Sequence, residues 1–395
     1  TKSERSWGRL GMKSERTKKK RSDIADFNPR KTIKKGAIAK KIPMDVLRPF
    51  YRDIPYYVEE CFSGGTKFRN GDTIMARITP CLENGKTAQV SILNDGEVGF
   101  GSTEYIVFRA KEGITDKDYL YYLVCSPEVR EPAIKSMVGS SGRQRVQTDV
   151  VKNLEIDVPP LVEQEKIGSF LKALDDKIAL NDRINKNLEQ QAQAIYQQMF
   201  IDNASSDWTE GTLSDIADIT MGQSPSGSSY NEDGNGTIFF QGRAEFGFRF
   251  PTVRLYTTEP KRMACANDTL MSVRAPVGDL NVAHTDCCIG RGLATIHSKN
   301  NHQSFVLYTM FSLKKQLDVF NGEGTVFGSI NRNSLNEMPL LIPSSEKLDE
   351  FEALVAPMDA AIRNNYDEIC RLEQLRDTLL SKLMSGELDV SNVEI

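Results

Sequence analysis

Two stretches of the chain repeat the same order of features. "GRQRVQTDVVKNLEIDVPPLVEQEKIGSF" (residues 142–170) begins polar and basic, continues as a strand-like segment, meets two prolines and then becomes strongly helical. "GSINRNSLNEMPLLIPSSEKLDEFEALV" (residues 328–355) follows the same order. Residues 140–159 align with 324–343 without a gap, at an offset of 184. A repeat of this length indicates that the chain is a tandem duplication.

Shorter matches extend the duplication towards the beginning of each copy. "SDIAD" at 22–26 recurs unchanged at 214–218, and "GDTIMARI" at 71–78 is answered by "NDTLMSVR" at 267–274. The alternating apolar residues of the second pair, placed directly after a turn, predict a buried strand in each copy. Because most of each copy is strand-rich and punctuated by glycine, the pattern predicts two α+β domains.

A long helix is predicted after the prolines of each copy. Mostly apolar residues recur at alternating steps of four and three residues over 167–199 and over 351–383. Such a 3.5-residue period is the seam of a coiled coil. Asn181 and Asn365 occupy equivalent seam positions, where a buried asparagine costs stability unless paired and can fix the register. We expect the helices to pack antiparallel with these asparagines close together; an asparagine rotated to solvent is the alternative.

Composition excludes several classes of protein. No apolar run of about 18 residues is present that could span a membrane, and the basic start lacks the apolar core of a signal peptide. Seven cysteines, without a Cys-x-x-Cys pair, fit reduced thiols rather than a disulfide framework or a zinc ribbon. The three histidines lack metal-ligand spacing. We therefore expect no metal site and a cytoplasmic protein.

Charge is distributed unevenly along the chain. The net charge is −4, yet residues 1–50 carry sixteen Lys or Arg against five acids. "RTKKKR" (16–21) suits a phosphate-binding role. A solvated, partly disordered arm is an equally open interpretation of this segment.

Catalytic motifs are incomplete or absent. "ENGKT" (83–87) contains the Gly-Lys-Thr of a phosphate loop, but Pro80 stands where that loop needs its first glycine. "VPPL" (158–161) lacks the polar first and aromatic last residues of an adenine methyltransferase loop. No dinucleotide fingerprint or Gly-x-Ser-x-Gly elbow is present. The sequence predicts a chain that is not an enzyme, with an NTPase that uses Lys86 as the enzymatic alternative.

Polar loops in both copies suit contact with DNA. "SSGRQRVQ" (140–147) places arginine and glutamine on a glycine-flanked loop, and "GTVFGSINR" (324–332) is its polar counterpart. Arginine holds guanine or phosphate, and glutamine holds adenine. "QGRAEFGFRF" (241–250) suits a groove-inserting loop and equally an ordinary hairpin. The candidate DNA-binding residues are Arg77, Lys86, Arg143, Gln144, Arg145, Arg243, Arg249, Arg274, Ser329, Asn331 and Arg332.

These features together resemble the specificity (S) subunit of type I restriction-modification systems. The resemblance covers about residues 20–388. It rests on the duplicated domain, on "RITPCLENGK" (77–86) and on "GRQRVQTDVVKNLEIDVPPLVEQEKIGSFL" (142–171) with its weaker second copy. Two departures are the basic N-terminal extension and "PSSEKLDEF" (343–351), which replaces "PPLVEQEKI" (159–167).

The resemblance implies an α+β fold with two target recognition domains, separated by two long antiparallel coiled-coil helices in a pseudo-twofold arrangement. The predicted boundaries are 1–20 for a basic N-terminal extension, 21–158 for target recognition domain 1, 159–201 for the central spacer helix, 202–342 for target recognition domain 2 and 343–390 for the C-terminal spacer helix.

The resemblance also implies a function and partners. Each domain would read one half of a bipartite asymmetric site in double-stranded DNA, and helix length would set the spacing. Two methyltransferase (M) subunits carrying S-adenosylmethionine would dock on the helices, and restriction (R) subunits would use ATP and Mg; this chain would hold no cofactor itself. The alternatives are a specificity-like subunit of another defence system and a coiled-coil scaffold with peptide-binding domains. Salt-sensitive, sequence-dependent DNA binding distinguishes a DNA reader from the scaffold.

Overall fold

The protein divides into two compact units. Its structure is a computed structural model that describes residues 16–140, 142–322, 328–388 and 390. The first unit comprises residues 1–181 with 367–395, and the second comprises 182–366. The division therefore falls inside both long helices. None of the helices in the described ranges has the length and apolar character of a membrane span.

Short strands build the globular part of the first unit. Its strands are β1 (Thr17–Lys20), β2 (Ala25–Phe27), β3 (Ile38–Ile42), β4 (Val58–Cys61), β5 (Thr66–Phe68), β6 (Thr73–Ala76), β7 (Thr87–Gln89), β8 (Gly99–Gly101), β9 (Tyr105–Ala110) and β10 (Glu155–Val158). Its helices are α1 (Arg21–Ile24), α2 (Lys117–Cys125), α3 (Pro127–Lys135), α4 (Thr148–Asn153) and the first part of α5 (Leu161–Tyr196). Strands β2-β9-β6-β7 form an antiparallel sheet, β4-β3-β8-β5 form a mixed sheet with β3 parallel to β8, and β1 pairs with β10.

The second unit repeats this plan. Its strands are β11 (Thr209–Thr212), β12 (Ala217–Met221), β13 (Tyr230–Asn231), β14 (Thr237–Phe240), β15 (Leu255–Thr257), β16 (Met263–Ala264), β17 (Thr269–Ser272), β18 (Leu280–Val282), β19 (Cys287–Ile289), β20 (Leu293–Ser298) and β21 (Pro339–Ile342). Its helices are α6 (Leu213–Ile216), α7 (Gln303–Ser312), α8 (Lys314–Leu317), α9 (Arg332–Asn336) and most of α10 (Ser345–Met384), with a π-helix at Gln197–Asp202 that follows α5. The sheets are β12-β20-β17-β18, β13-β15-β14-β19-β16 with β14 parallel to β19, and β11-β21.

The duplicated motifs occupy matching places in the two units. The predicted strands in "GDTIMARI" and "NDTLMSVR" are β6 and β17, and all four residues of each are buried. The two "SDIAD" copies span the end of a one-turn helix and the start of a strand, and in each copy the first aspartate accepts a hydrogen bond from the amide of the residue before the helix, at 3.0 Å in Asp23 and 2.7 Å in Asp215. The predicted α+β fold with duplicated strand-rich domains and two long helices is therefore confirmed.

Alternation along the central strands separates two cores in the first unit. Tyr105 and Val107 of β9 face a core between the two sheets, whereas Ile106 and Phe108 face a core that includes α2 and the long helices. Successive side chains of a strand point to opposite faces, so β9 belongs to both cores. The long helices are thus part of the hydrophobic core of the unit.

The predicted N-terminal extension, residues 1–20, lies mostly outside the described residues. Thr17–Lys20 form β1, and the β1–β10 register places Lys18 opposite Asp157 and Lys20 opposite Glu155. Opposite charges at directly paired positions favour an antiparallel pair. The three lysines Lys18–Lys20 therefore belong to the first unit.

The predicted seam of the long helices is buried in both units. Leu171 and Ile178 in the first unit, and Val355 and Ile362 in the second, are at most 1% exposed. Within each unit the two helical segments run antiparallel, since residues later in α5 contact residues earlier in α10. The coiled-coil period therefore predicted the buried face correctly.

The seam asparagines have partners other than those predicted. Asn181 is fully buried, which excludes its rotation to solvent, and its Nδ2 donates to Glu368 at 2.7 Å. Asn365 donates to Asn185 Oδ1 at 2.8 Å. In each unit the partner lies about one helical turn away from the position that the sequence pairing assumed. The hydrogen bonds of the seam asparagines therefore go to Glu368 and Asn185 rather than from one asparagine to the other.

A buried ion pair fixes α5 against α10 in the first unit. Asp175 accepts hydrogen bonds from Arg376 Nη1 at 2.9 Å and from the Tyr122 hydroxyl at 2.7 Å. Both charged side chains are less than a tenth exposed. Burial tends to lower the pKa of Arg376, but Asp175 and the neighbouring Asp377 raise it overall. The carboxylate thus stabilises a cation at a seam position.

The N-terminal caps of α2 and α7 come from different parts of their units. In the first unit Asp116 caps α2, accepting from the amides of Asp118 and Tyr119. In the second unit the residue before α7 gives no such cap, and Glu352 of α10 accepts from the Phe305 amide at 2.8 Å. The α5 position equivalent to Glu352 is a glycine, at which a Cβ would lie 2.7 Å from the capping carboxylate. The second unit therefore takes its cap from the long helix.

Asp175→Ala should destabilise the first unit by about 3 kcal/mol, because it leaves the buried Arg376 guanidinium without its carboxylate. Hydrogen exchange of α5 amides before residue 182 measures the local opening free energy. Glu131→Ala, which breaks an exposed ion pair with Lys135, is the control and should cost much less. Equal losses in the two variants would contradict the role assigned to Asp175.

Asp116→Ala and Glu352→Ala should each destabilise one helix by about 1 kcal/mol, the usual contribution of an N-terminal cap. Hydrogen exchange of the amides in α2 and α7 measures both effects. Each variant serves as the control for the other, since Asp116→Ala should leave α7 unchanged and Glu352→Ala should leave α2 unchanged. Loss of protection in both helices from either variant would show a global effect rather than a lost cap.

Candidate nucleic-acid interface

A glycine-containing loop of the first unit is held along the end of β6. The loop, of which residues 138–140 and 142–146 are described, is hydrogen-bonded through its backbone to residues 77–79 at 2.8–3.0 Å. Val138 and Arg145 exchange both backbone hydrogen bonds, which closes the loop on itself. Gly139 has a φ of +136°, a conformation that residues with a Cβ rarely adopt. The backbone therefore fixes where the loop presents its side chains.

Four predicted residues converge on this loop and the neighbouring strand end. Arg143 and Arg145 are exposed, and Gln144 and Arg77 are partly exposed. Glu104, at the start of β9, accepts from Arg145 Nε and Nη2 at 2.8–3.0 Å, and Arg77 Nε lies 3.9 Å from the same carboxylate. These hydrogen bonds raise the pKa of Arg145. We call these five residues the first loop cluster; its three arginines and one carboxylate give it a net charge of +2, and two of the arginines, Arg77 and Arg145, face the carboxylate.

The second unit places an equivalent loop at the end of β17. Arg274 and Ser329 form a backbone bridge, the amide of Ala275 donates to Gly328 at 3.0 Å, and that of Ile330 donates to Val273 at 3.1 Å. Residues 323–327, the start of the predicted loop, lie outside the described residues. The described part of the loop repeats the backbone arrangement of the first unit.

A basic cavity of about 590 Å³ adjoins this second loop. Arg274, Arg291, Ser329 and Asn331 line it, and the neighbouring Arg332 is exposed. Asn331 also caps α9, since its side-chain oxygen accepts a backbone hydrogen bond at 2.9 Å. No carboxylate is among the described residues that line the cavity. We call these five residues the second loop cluster.

Arg291 and Glu104 were missed by the sequence prediction. Arg291 stands between glycines in "IGRGL", directly before β20, and this glycine-flanked arginine was the available signal. Glu104 carries no local signal, because its partner Arg145 lies 41 residues further along the chain. The contact between Glu104 and Arg145 can be identified only in the folded structure.

Two predicted residues lie in other surroundings. Lys86 donates to the Met44 carbonyl at 2.9 Å, so its ammonium group holds a loop rather than facing a ligand alone. Arg243 is half exposed and forms an ion pair with Asp279. The structure does not bring either residue into the two loop clusters.

Arg249 was wrongly predicted to face DNA. Its side chain is 4% exposed and donates to the Tyr308 hydroxyl and to Asp359, each at 3.1 Å, with Glu189 at 2.9 Å. Burial tends to lower the pKa of Arg249, but these three neighbours raise it overall. A guanidinium enclosed by two carboxylates stabilises the second unit and is not available to an incoming phosphate.

Metal-binding and cysteine chemistry add no further site. The described part of the chain holds no group of three or more His, Cys, Asp or Glu that could bind a metal ion. All seven cysteines are described, and each is a free thiol.

Comparison with known proteins agrees with the duplicated architecture. The family model for the type I restriction modification DNA specificity domain matches residues 13–190 and again 205–363. A protein of Methanocaldococcus jannaschii described as the type I restriction enzyme MjaX specificity subunit is 29% identical over 343 residues, covering 81% of this chain and 79% of that protein. The Escherichia coli type I restriction enzyme EcoAI specificity subunit is 42% identical over 104 residues, covering 26% and 18%.

A solved structure shares the fold. The S subunit of a type I restriction-modification system from M. genitalium aligns with a TM-score of 0.59 and 15% identity, over 95% of this chain and 98% of that chain. Since the family model covers well over half of the sequence, once in each half, this chain belongs to the type I restriction modification DNA specificity family.

Proposed function

We propose that the chain is the recognition subunit of a type I restriction-modification complex and that each unit reads one half of a bipartite, asymmetric DNA site. One observation carries this proposal: the same backbone arrangement presents a basic loop cluster once in each unit. Cationic side chains bind the DNA backbone, and arginine, asparagine and glutamine also read base edges. The clusters differ in their side chains, which supports two different half-sites.

The long helices are proposed to set the spacing between the half-sites. Helix α5 has 36 residues and α10 has 40, so each is about 55–60 Å long at 1.5 Å per residue. Because a continuous helix has a length fixed by its number of residues, the number of base pairs between the half-sites would follow from helix length.

The partners proposed are two methyltransferase subunits, restriction subunits and double-stranded DNA, in the cytoplasm. Leu180, Ile184, Leu354 and Leu375 on the long helices are more than a third exposed. Exposed apolar side chains outside a packed seam support a protein-binding face, here for the methyltransferase subunits. S-adenosylmethionine would belong to those subunits, and ATP with Mg to the restriction subunits.

Co-expression with the neighbouring methyltransferase and sequencing of N6-methyladenine in the host DNA tests the reader assignment. The expected result is a split motif with methylated adenines on opposite strands. A stable complex that adds no methylation would contradict the proposed role and favour a scaffold.

Arg143→Ala and Arg332→Ala should each weaken binding of the full-length chain to double-stranded DNA. Each removes an exposed cation, so the slope of log K against log salt should become less steep by about 1. Fluorescence anisotropy with duplex DNA at several salt concentrations measures this slope. Lys347→Ala, which removes an exposed, ion-paired cation on α10, is the control and should leave the slope unchanged. Duplex binding that is weak and independent of salt would favour the peptide-binding alternative.

A further inference from the structure

Glu104 holds the guanidinium of Arg145 by one edge. Arg145 Nε lies 3.0 Å from both carboxylate oxygens, and Nη2 lies 2.8 Å from Oε1. Arg145 remains 45% exposed, whereas Glu104 is 23% exposed. Guanidinium has two edges suited to bidentate contact, and the Nε–Nη2 edge is engaged here. The Nη1–Nη2 edge has no hydrogen-bond partner among the described residues.

The backbone fixes both members of this pair before any ligand arrives. Arg145 is hydrogen-bonded to Val138 in both directions, at 2.9 and 3.1 Å. The Glu104 carbonyl accepts from the Arg77 amide at 2.9 Å, and its own amide donates to Ser102 Oγ at 3.1 Å. A long side chain held in this way loses little conformational entropy when it binds. Such preorganisation is typical of a group that reads a defined partner.

We infer that Arg145 presents its Nη1–Nη2 edge to O6 and N7 of a guanine in the half-site read by the first unit, with Glu104 as the positioning residue. The inference rests on the proposed function. Guanine offers two acceptors side by side in the major groove, the pattern that a free guanidinium edge matches. Contact with phosphate alone does not require a carboxylate beside the cation, since that carboxylate weakens general attraction to DNA.

The second unit has no glutamate–arginine pair at the positions equivalent to Glu104 and Arg145. Gly292 occupies the position of Glu104, since its carbonyl accepts from the Val273 amide at 3.0 Å just as Glu104 accepts from Arg77. Ser329 takes the bridging position of Arg145. A guanine contact by an arginine that a glutamate positions is therefore confined to one half-site. This contact contributes to the asymmetry of the whole DNA site.

Selection of duplexes from a randomised library by the full-length chain, followed by base-analogue substitution, tests the inference. Replacing the guanine by adenine should weaken binding of the unsubstituted protein by about 5- to 150-fold. Replacement by 7-deazaguanine, which lacks N7, should weaken it, whereas inosine, which keeps O6 and N7, should be tolerated. The Arg145→Ala protein should bind the duplexes with guanine, adenine, 7-deazaguanine and inosine with affinities within about twofold of one another. The guanidinium edge that distinguishes these bases is absent from this variant.

Conservative variants separate readout from folding. Arg145→Lys keeps the charge but has no bidentate edge, so discrimination should fall while circular dichroism and the salt slope stay unchanged. Glu104→Gln should also lower discrimination, and it should steepen the salt slope by about 1 because the arginine charge is no longer neutralised. Lys347→Ala, which removes an exposed cation paired with the exposed Glu350 in the second unit, is the control and should leave guanine discrimination intact.

The outcomes distinguish the inference from the function on which it rests. Sequence-dependent duplex binding in which Arg145→Ala changes preference at no guanine would overturn the guanine contact and leave the reader function standing. Absence of any sequence-dependent duplex binding would overturn both. The inference is supported if Arg145→Ala and Glu104→Gln both lose the preference for guanine at the same single position, in one half-site only.

Discussion

A carboxylate on a long helix, 6% exposed in the first unit and 22% exposed in the second, is the constraint on which each unit depends. Asp175 and Asp359 are 184 residues apart, the offset of the repeat itself, and each bonds a buried tyrosine of the globular part. Each also pairs with a buried arginine. Placing a carboxylate in such a site is unfavourable unless its hydrogen bonds and its charge are satisfied. The globular part and the long helices of a unit must therefore assemble together.

The two copies satisfy this constraint with arginines of different origin. In the first unit the cation is Arg376, a seam residue of α10. In the second it is Arg249, which comes from a loop of the globular part and also contacts Glu189. Capping of α2 and α7 shows the same freedom, since one cap is local and the other comes from a long helix. Both copies retain the ion pair and the helix cap, but the residue that supplies each one differs between the copies.

Features carried by local periodicity were predictable from the sequence, whereas features that depend on distant pairing were not. The 3.5-residue seam identified buried positions such as Leu171 and Val355, because burial follows directly from helix geometry. The hydrogen-bond partners of the seam asparagines were not predictable, since the period does not specify the register between antiparallel helices. Arg249 looked like a DNA-contacting residue because phenylalanines surround it, and Asp359, 110 residues later, decides its burial. The glycine-flanked loop at 140–147 was predicted, but the contact of its Arg145 with Glu104 was not.

The two loop clusters show how one backbone can support different recognition chemistry. Main-chain hydrogen bonds hold both loops against the adjacent strand end, at 2.8 Å between Val146 and Arg77 and at 3.1 Å between Ile330 and Val273. Such bonds involve atoms that every residue except proline carries in full, so they survive replacement of the side chains. A glutamate and an arginine in one copy therefore correspond to a glycine and a serine in the other without loss of the loop. Because the backbone fixes the position of each loop and the side chains fix its chemistry, each half of the chain can change the side chains of its loop cluster without changing how it folds.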